Sequence, residues 1–218
     1  NLITYNAATF SNSGTATIVN AISGNIGIDF AADIPLSVDY ALPIESVGDF
    51  IAGSELDVTG LASDPESIVL SNDGSSMYIL SNADDDIHQF DLTTPFVVDG
   101  ASLVSSFNIF FDESNGSGIA FNETGDRLFF VGTTNDQVNE LFLTTPFDLS
   151  TAFHSGKLLF VVTQEASPQA LEFSNDVLKL FVMGSSSDNI YQYDLINPFD
   201  LDGATYSGIL FGVGSQTS

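Results

Sequence analysis

The sequence predicts an all-β protein made of four tandem repeats, and three observations support this prediction. Short runs of aromatic and branched residues, which favour strands, recur with a period of 51 to 52 residues. Turn-forming Asn, Asp and Gly separate these runs, and no segment keeps a 3.6-residue apolar period. A proline followed by a large apolar residue marks each repeat, at Pro43-Ile44, Pro95-Phe96, Pro146-Phe147 and Pro198-Phe199. A fixed period of this size is the signature of a propeller, a solenoid or an array.

Each repeat offers four short strands. The first strands share one register at Ile18, Leu70, Phe121 and Phe173, and the third strands alternate between apolar and mixed residues, as antiparallel strands do. Four antiparallel strands per repeat are typical of a β-propeller blade. We therefore predict one domain over residues 1–218, with repeats at about 11–62, 63–114, 115–165 and 166–218 and an extra strand at 1–10. The four blades would close a ring by themselves or form part of a larger or oligomeric ring.

The composition excludes several classes of partner. The 218 residues include 29 acidic side chains against three cations, Arg127, Lys157 and Lys179, and the net charge is -26. Nucleic acid and anionic membrane surfaces need clustered Lys or Arg, so neither is an expected partner. The longest apolar runs, such as residues 158–162, are far shorter than the roughly 20 residues that span a bilayer, so membrane insertion is not expected. The absence of cysteine excludes disulfides and thiolate metal sites.

One stretch resembles a known group of repeats. Residues 71–80, Ser-Asn-Asp-Gly-Ser-Ser-Met-Tyr-Ile-Leu, followed by Asp85 to Leu92, resemble the strand-turn-strand unit of YVTN-like and related WD40-like propellers. Repeats of this kind resemble those of marine bacterial surface and phage-appendage proteins. The resemblance covers residues from about 14 to 218, although the WD40 signature is missing because the chain has no tryptophan. It implies a propeller fold and little about function, since propellers host many activities.

An aspartate recurs eleven residues before each apolar anchor, at Asp33, Asp85, Asp136 and Asp188. We interpret these carboxylates as acceptors for the backbone amides of their own turns, which would fix the hairpins. Calcium needs several oxygen ligands from one loop, and only the run of Asp84, Asp85 and Asp86 has that density. This run is the candidate calcium site, and calcium is the candidate cofactor.

The proline and phenylalanine anchors are interpreted as structural. The prolines, Pro43, Pro95, Pro146 and Pro198, would end the third strands, where a missing amide costs little. Phe96, Phe147 and Phe199 would then occupy core positions. Repetition in every blade favours packing over ligand binding, because a binding site would differ between blades.

Catalytic signals are weak in the sequence. His88 and His154 each stand without a second histidine in the same repeat, and the metalloprotease, nucleophile-elbow and phosphate-loop motifs are absent. The chain is therefore predicted not to be an enzyme.

The acidic, cysteine-free composition favours a location outside the cell, on the cell surface or on a virion. The predicted function is an extracellular structural or interaction module: a subunit of a surface appendage, filament, matrix or outer virion structure. Its expected partners are further copies of the chain or a larger assembly, with a glycan as a further candidate. The alternative is a carbohydrate-binding or polysaccharide-acting propeller.

Overall fold

The computed structural model describes residues 55–60 and 62–214, together with two short strands nearer the N-terminus. The chain divides into two compact units, residues 1–50 and 51–218. In the first unit, β1 (Thr9–Phe10) pairs antiparallel with β2 (Ala16–Thr17). Most of the predicted first repeat, with Asp33 and Pro43, lies outside the described residues, as does most of the predicted extra strand at 1–10.

The second unit contains three four-stranded antiparallel sheets, each formed by strands consecutive in the chain. We call them blades A, B and C. Blade A comprises β3 (Pro65–Leu70), β4 (Ser76–Ser81), β5 (Asp86–Asp91) and β6 (Ser102–Asn108). Blade B comprises β7 (Gly116–Phe121), β8 (Arg127–Gly132), β9 (Gln137–Leu143) and β10 (Ala152–Phe160). Blade C comprises β11 (Pro168–Phe173), β12 (Lys179–Gly184), β13 (Asn189–Asp194) and β14 (Thr205–Gly212).

The equivalent first, second and third strands of the blades begin 51 or 52 residues apart, the period found in the sequence. The described residues thus form three blades, where the sequence predicts four. The described residues contain no α-helix, and their helical structure is limited to the 3-10 turn Leu149–Thr151 after β9. No helix among them is long and apolar enough to cross a membrane.

The core lies between neighbouring blades. Successive residues of a strand point to opposite faces, and the central strands of blade B pack against blade A with one face and against blade C with the other, so they are apolar on both. Strand β4 of blade A is buried along its whole length because one face packs against blade B and the other against Leu56, Val58 and Ala62. The contact between blades A and B is formed by Tyr78, Leu80, Ile87, Leu128, Phe130 and Leu141. The contact between blades B and C is formed by Phe129, Val131, Val138, Leu180, Val182 and Tyr193.

Candidate functional site

The blades have two ends with different chemistry. At the first, which we call the linker end, the turns between the second and third strands lie beside the linkers that join consecutive blades. At the other, the anchor end, each Pro-Phe pair lies against the turn between the first and second strands. The candidate calcium residues and His88 lie at or next to the turn between β4 and β5 of blade A. His154 contacts Asp112 in the linker between blades A and B.

The repeated aspartates set the backbone of the turns at the linker end. Asp85, Asp136 and Asp188 have φ angles of 57°, 50° and 54°, in the left-handed region that Asp tolerates better than most residues. Their main-chain carbonyls accept hydrogen bonds from the amides of Ile109, Val161 and Val213, at 2.8 to 3.0 Å. These carbonyl bonds tie each turn to the end of the fourth strand.

The carboxylates of these aspartates differ from the sequence-based interpretation. The hydrogen bonds found for Asp85 and Asp136 use their carbonyls, and Asp136 Oδ1 is buried without a hydrogen-bond partner among the described residues. Burial, together with the charges of Asp84, Asp86 and Glu113, raises the pKa of Asp85 above its usual value. The left-handed backbone is shared by all three positions, and for Asp85 and Asp136 the carboxylate forms no hydrogen bond within its own turn.

Two buried glutamates take the role expected of the aspartates. Glu113 Oε1 accepts the amides of Asn115 and Thr134, and its Oε2 accepts the amide of Asn135. Glu165, 52 residues later, accepts the amides of Ser167 and Ser186 in the same way. Burial alone would raise the pKa of Glu165, but hydrogen bonds from the serines outweigh it and lower the pKa. Neither glutamate is among the residues predicted from the sequence, although their spacing of 52 residues matches the repeat.

Blade A differs from the other blades at the turn between β4 and β5. Every second residue from 84 to 88 carries a possible metal ligand: Asp84, Asp86 and His88. Their two carboxylate oxygens and one imidazole nitrogen lie within 4.8 Å of one another. His88 Nε2 lies 2.9 Å from Asp84 Oδ2, and His88 Nδ1 lies 2.7 Å from Ser106 Oγ. Asn108 Nδ2 donates to Asp86 Oδ1 at 2.6 Å. Asp85, which the sequence placed among the calcium ligands, is not part of this group.

The same positions in the other blades carry neutral side chains. Blade B has Asn135, Gln137 and Asn139 there, and the first two donate to the carbonyl of Asp112 in the preceding linker. Blade C has Ser187, Asn189 and Tyr191. Carboxylates cannot donate such hydrogen bonds, so the two aspartates of blade A do not serve this structural role. A group that departs from the repeat in one blade is a candidate for function.

A second histidine lies across the linker from this group. His154, on β10, directs Nδ1 to Asp112 Oδ2, and its ring lies 5.0 Å from that of Phe107 on β6. The side chain of His154 is about half exposed. Two exposed rings immediately precede Asp112: Phe110 is 52% exposed and Phe111 90% exposed. The centroids of these two rings are 5.6 Å apart.

The anchor end has a structural role. The amides of Phe96 and Phe147 donate to the carbonyls of Gly74 and Gly125, and both phenylalanines have positive φ. Phe147 is partly buried because its ring contacts Phe121 at the end of β7. Phe199 likewise contacts Phe173. The predicted core position is wrong for Phe96, which is 64% exposed. In blade A the residue that corresponds to Phe121 and Phe173 is Leu70, which has no ring to pack against the anchor.

All three cations of the chain are already paired near the anchor end. Arg127 Nη1 donates to the carbonyl of Phe199 at 2.8 Å and lies 3.9 Å from Glu140 Oε2. Lys157 pairs with Asp200 and Asp202, at 2.6 and 3.2 Å, and Lys179 pairs with Asp194 at 2.9 Å. Burial raises the pKa of Glu140, although Arg127 and Lys157 oppose that shift. Each of these cations is therefore already paired with a carboxylate.

Comparison with solved structures identifies similar folds. The periplasmic gluconolactonase of Pseudomonas aeruginosa matches with a TM-score of 0.53 at 13% identity, over 69% of this chain and 40% of that one. A protein assigned as a 6-phosphogluconolactonase from Bacteroides fragilis matches with a TM-score of 0.52 at 12% identity, over 68% of this chain and 39% of that one. The chain has a β-propeller-like fold. It spans about two fifths of the length of these neighbours. No protein-family model matches the sequence, and no curated protein gives a significant match.

The comparisons correct two predictions. The prediction of a non-enzymatic subunit of a surface appendage, filament, matrix or virion is contradicted, because the similar structures are named as lactonases, which are enzymes. The prediction relied on the absence of catalytic motifs that are contiguous in sequence. The Asp112 and His154 pair lies 42 residues apart in the chain and is created by the contact between linker and strand. The comparisons also give no support to the marine and phage context.

Proposed function

We propose that this chain is part of a β-propeller enzyme that processes neutral carbohydrates, with sugar lactones as the substrate class. One observation carries the proposal: a half-exposed histidine contacts the carboxylate of Asp112, and two exposed aromatic residues immediately precede that aspartate in the chain. The fold similarity to proteins named as lactonases favours this substrate class. At 12 to 13% identity that similarity concerns the fold alone, so the activity is argued from the site.

The geometry fits general-base catalysis. His154 Nδ1 is in ion-pair contact with Asp112 Oδ2. A proton on Nδ1 would leave the lone pair on Nε2, and the nearby carboxylate would stabilise the imidazolium that forms. Nε2 would take a proton from a water molecule as its oxygen attacks the lactone carbonyl. The ring carbon–oxygen bond then breaks, and the imidazolium returns the proton to the departing alkoxide. The product is the open hydroxy acid, so one water is consumed for each lactone.

The surroundings of the dyad favour an uncharged sugar. Phe110 and Phe111 offer apolar ring surface on which the carbon face of a sugar could lie. A phosphorylated sugar would need cations, and Arg127, Lys157 and Lys179 are all paired near the other end of the blades. The net charge of -26 would further repel an anionic substrate.

The test compares hydrolysis of glucono-1,5-lactone with that of its 6-phosphate, each measured above the spontaneous rate in buffer. We expect acceleration for the neutral lactone only. His154→Gln and Asp112→Asn should each lower kcat by about 100-fold, the range expected for general-base catalysis. Asp99→Asn, an exposed aspartate outside the site, is the matched control and should keep full activity.

The binding role of the rings is tested separately. Phe110→Ala and Phe111→Ala should raise KM and leave kcat nearly unchanged, because they remove contact surface and no reacting group. The proposal is overturned if the wild-type chain does not accelerate hydrolysis of the neutral lactone, or if His154→Gln is as active as wild type.

A further inference from the structure

The group formed by Asp84, Asp86 and His88 brings a nearly buried imidazole against two carboxylates. His88 is only 4% exposed, and its Nε2 lies 2.9 Å from Asp84 Oδ2 without forming a hydrogen bond of good geometry. Ser106 Oγ lies 2.7 Å from the other ring nitrogen, and its hydroxyl can either accept an Nδ1 proton or donate to Nδ1. With the proton on Nδ1, the lone pair of Nε2 and the carboxylate oxygen face the same point, where a cation would be bound by both.

We infer that Asp84, Asp86 and His88 bind a divalent transition-metal ion of the zinc class, through one imidazole nitrogen and two carboxylate oxygens. This site is independent of the proposed lactone chemistry. Zinc is held at about 2.0 to 2.2 Å by histidine nitrogen and carboxylate oxygen, and three protein ligands leave a position for water. The present spread of the ligand atoms, within 4.8 Å, needs only small side-chain rotations to reach such geometry. Asp84 is exposed and Asp86 is partly exposed, so the ion has an approach from solvent.

The contacts around the three ligands support a metal site. The Ser106 hydroxyl orients the imidazole and can accept an Nδ1 proton, which leaves Nε2 for an ion, and the Asn108 amide donates to Asp86 Oδ1 at 2.6 Å. Outer contacts of this kind orient the ligands of metal sites. The ligand set also identifies the kind of ion. Calcium prefers six to eight oxygen ligands, whereas a buried imidazole nitrogen favours zinc, nickel or cobalt.

The comparison between blades argues against a purely structural role for these residues. In blade B the equivalent Gln137 donates to Asn139 Oδ1 at 2.8 Å, so neutral side chains occupy these positions. In blade C the equivalent Asn189 donates to Tyr191 in the same manner, at 3.2 Å. Only blade A places two negative charges and an imidazole at these positions. The repeat folds with neutral side chains here, so the charged set is not needed for folding.

The first test is titration of the untagged chain with zinc chloride at physiological salt, in the presence of excess magnesium to occupy the many surface carboxylates. We expect one site that retains zinc against magnesium and calcium. His88→Asn, which installs the residue found in blade B, should weaken zinc binding by about 100-fold, and Ser106→Ala by about tenfold. Asp99→Asn should leave the affinity unchanged.

The second test needs no substitution at the site. The chain has two histidines, so the imidazole nitrogens of the wild-type protein give a simple NMR spectrum that a His154→Gln variant assigns. Zinc should shift the Nε2 resonance of His88 and leave that of His154 in place. Equal zinc affinity in wild type and His88→Asn, or an unchanged His88 resonance, would overturn the inference.

Discussion

The amide of Phe199 donates a hydrogen bond of 3.3 Å to the carbonyl of Val177, and both residues have positive φ. The equivalent bonds in the other blades join Phe96 to Gly74 and Phe147 to Gly125, at 3.0 and 2.8 Å. Blade C thus carries a β-branched residue, with a φ of 54°, where blades A and B have glycine. Left-handed backbone is unfavourable for a branched side chain, so this turn is strained.

Val177→Gly should therefore stabilise the protein by about 1 kcal/mol, because relief of backbone strain exceeds the entropic cost of glycine. Urea unfolding followed by circular dichroism measures the change. The reverse substitution, Gly125→Val, is the matched comparison. It should destabilise, since a Cβ at residue 125 would lie 2.3 Å from the ring of Phe147. A loss of stability in Val177→Gly would show that the turn is not strained.

Glu165→Gln should lower stability by about 2 kcal/mol at pH 7, because an amide cannot accept all the hydrogen bonds that the carboxylate receives. The folded-state pKa of Glu165 is lowered, so its contribution is complete above the unfolded pKa of about 4.3 and is lost as the pH falls through the folded value. The difference between the two proteins should then shrink towards pH 3. Unfolding measured across this range tests the sign, with the exposed Glu123→Gln as control. If the stability difference between wild type and Glu165→Gln does not change with pH, the ionised carboxylate is not its cause.

Glu140→Gln should stabilise the protein by about 1 kcal/mol at neutral pH. Burial raises the folded-state pKa of this carboxyl, so the wild type loses stability as the pH rises from the unfolded value through the folded one. Blade A already has a glutamine at this position: Gln89 Nε2 donates to the carbonyl of Phe147, and Oε1 accepts the amide of Leu149. The opposite change, Gln89→Glu, removes that donor and should destabilise. If Glu140→Gln were markedly less stable at pH 7, the pairing with Arg127 would outweigh burial.

The three anchors should differ in their energetic weight. Phe147→Ala and Phe199→Ala should each cost about 2 kcal/mol, less than a fully buried phenylalanine, because both rings are partly buried against a second ring. Phe96→Ala should change stability by less than about 0.5 kcal/mol, since its side chain is mostly exposed. Thermal unfolding of the three variants under one condition tests the order. Equal costs would mean that the anchors act through the backbone turn alone.

The sequence by itself determined the repeat and the strands. Equivalent strands follow the spacing of the Pro-Phe pairs, because each blade must present the same apolar pattern to its neighbours on both faces. The turn at Ser71 to Gly74 was likewise predictable, since glycine supplies the left-handed backbone there, with a φ of 70°. These features depend on residues close together in the chain, so a sequence pattern carries them.

Only the tertiary structure decided the chemistry of the site. Asp112 meets His154, and Glu113 meets Thr134 and Asn135, because a linker between blades lies against a turn and a strand of the next blade. The three aspartates at 84–86 illustrate the limit of sequence patterns. The left-handed φ of Asp85 turns the chain so that Asp84 and Asp86 meet His88, while Asp85 itself is left out. Side-chain direction depends on backbone conformation, and composition gives no record of it.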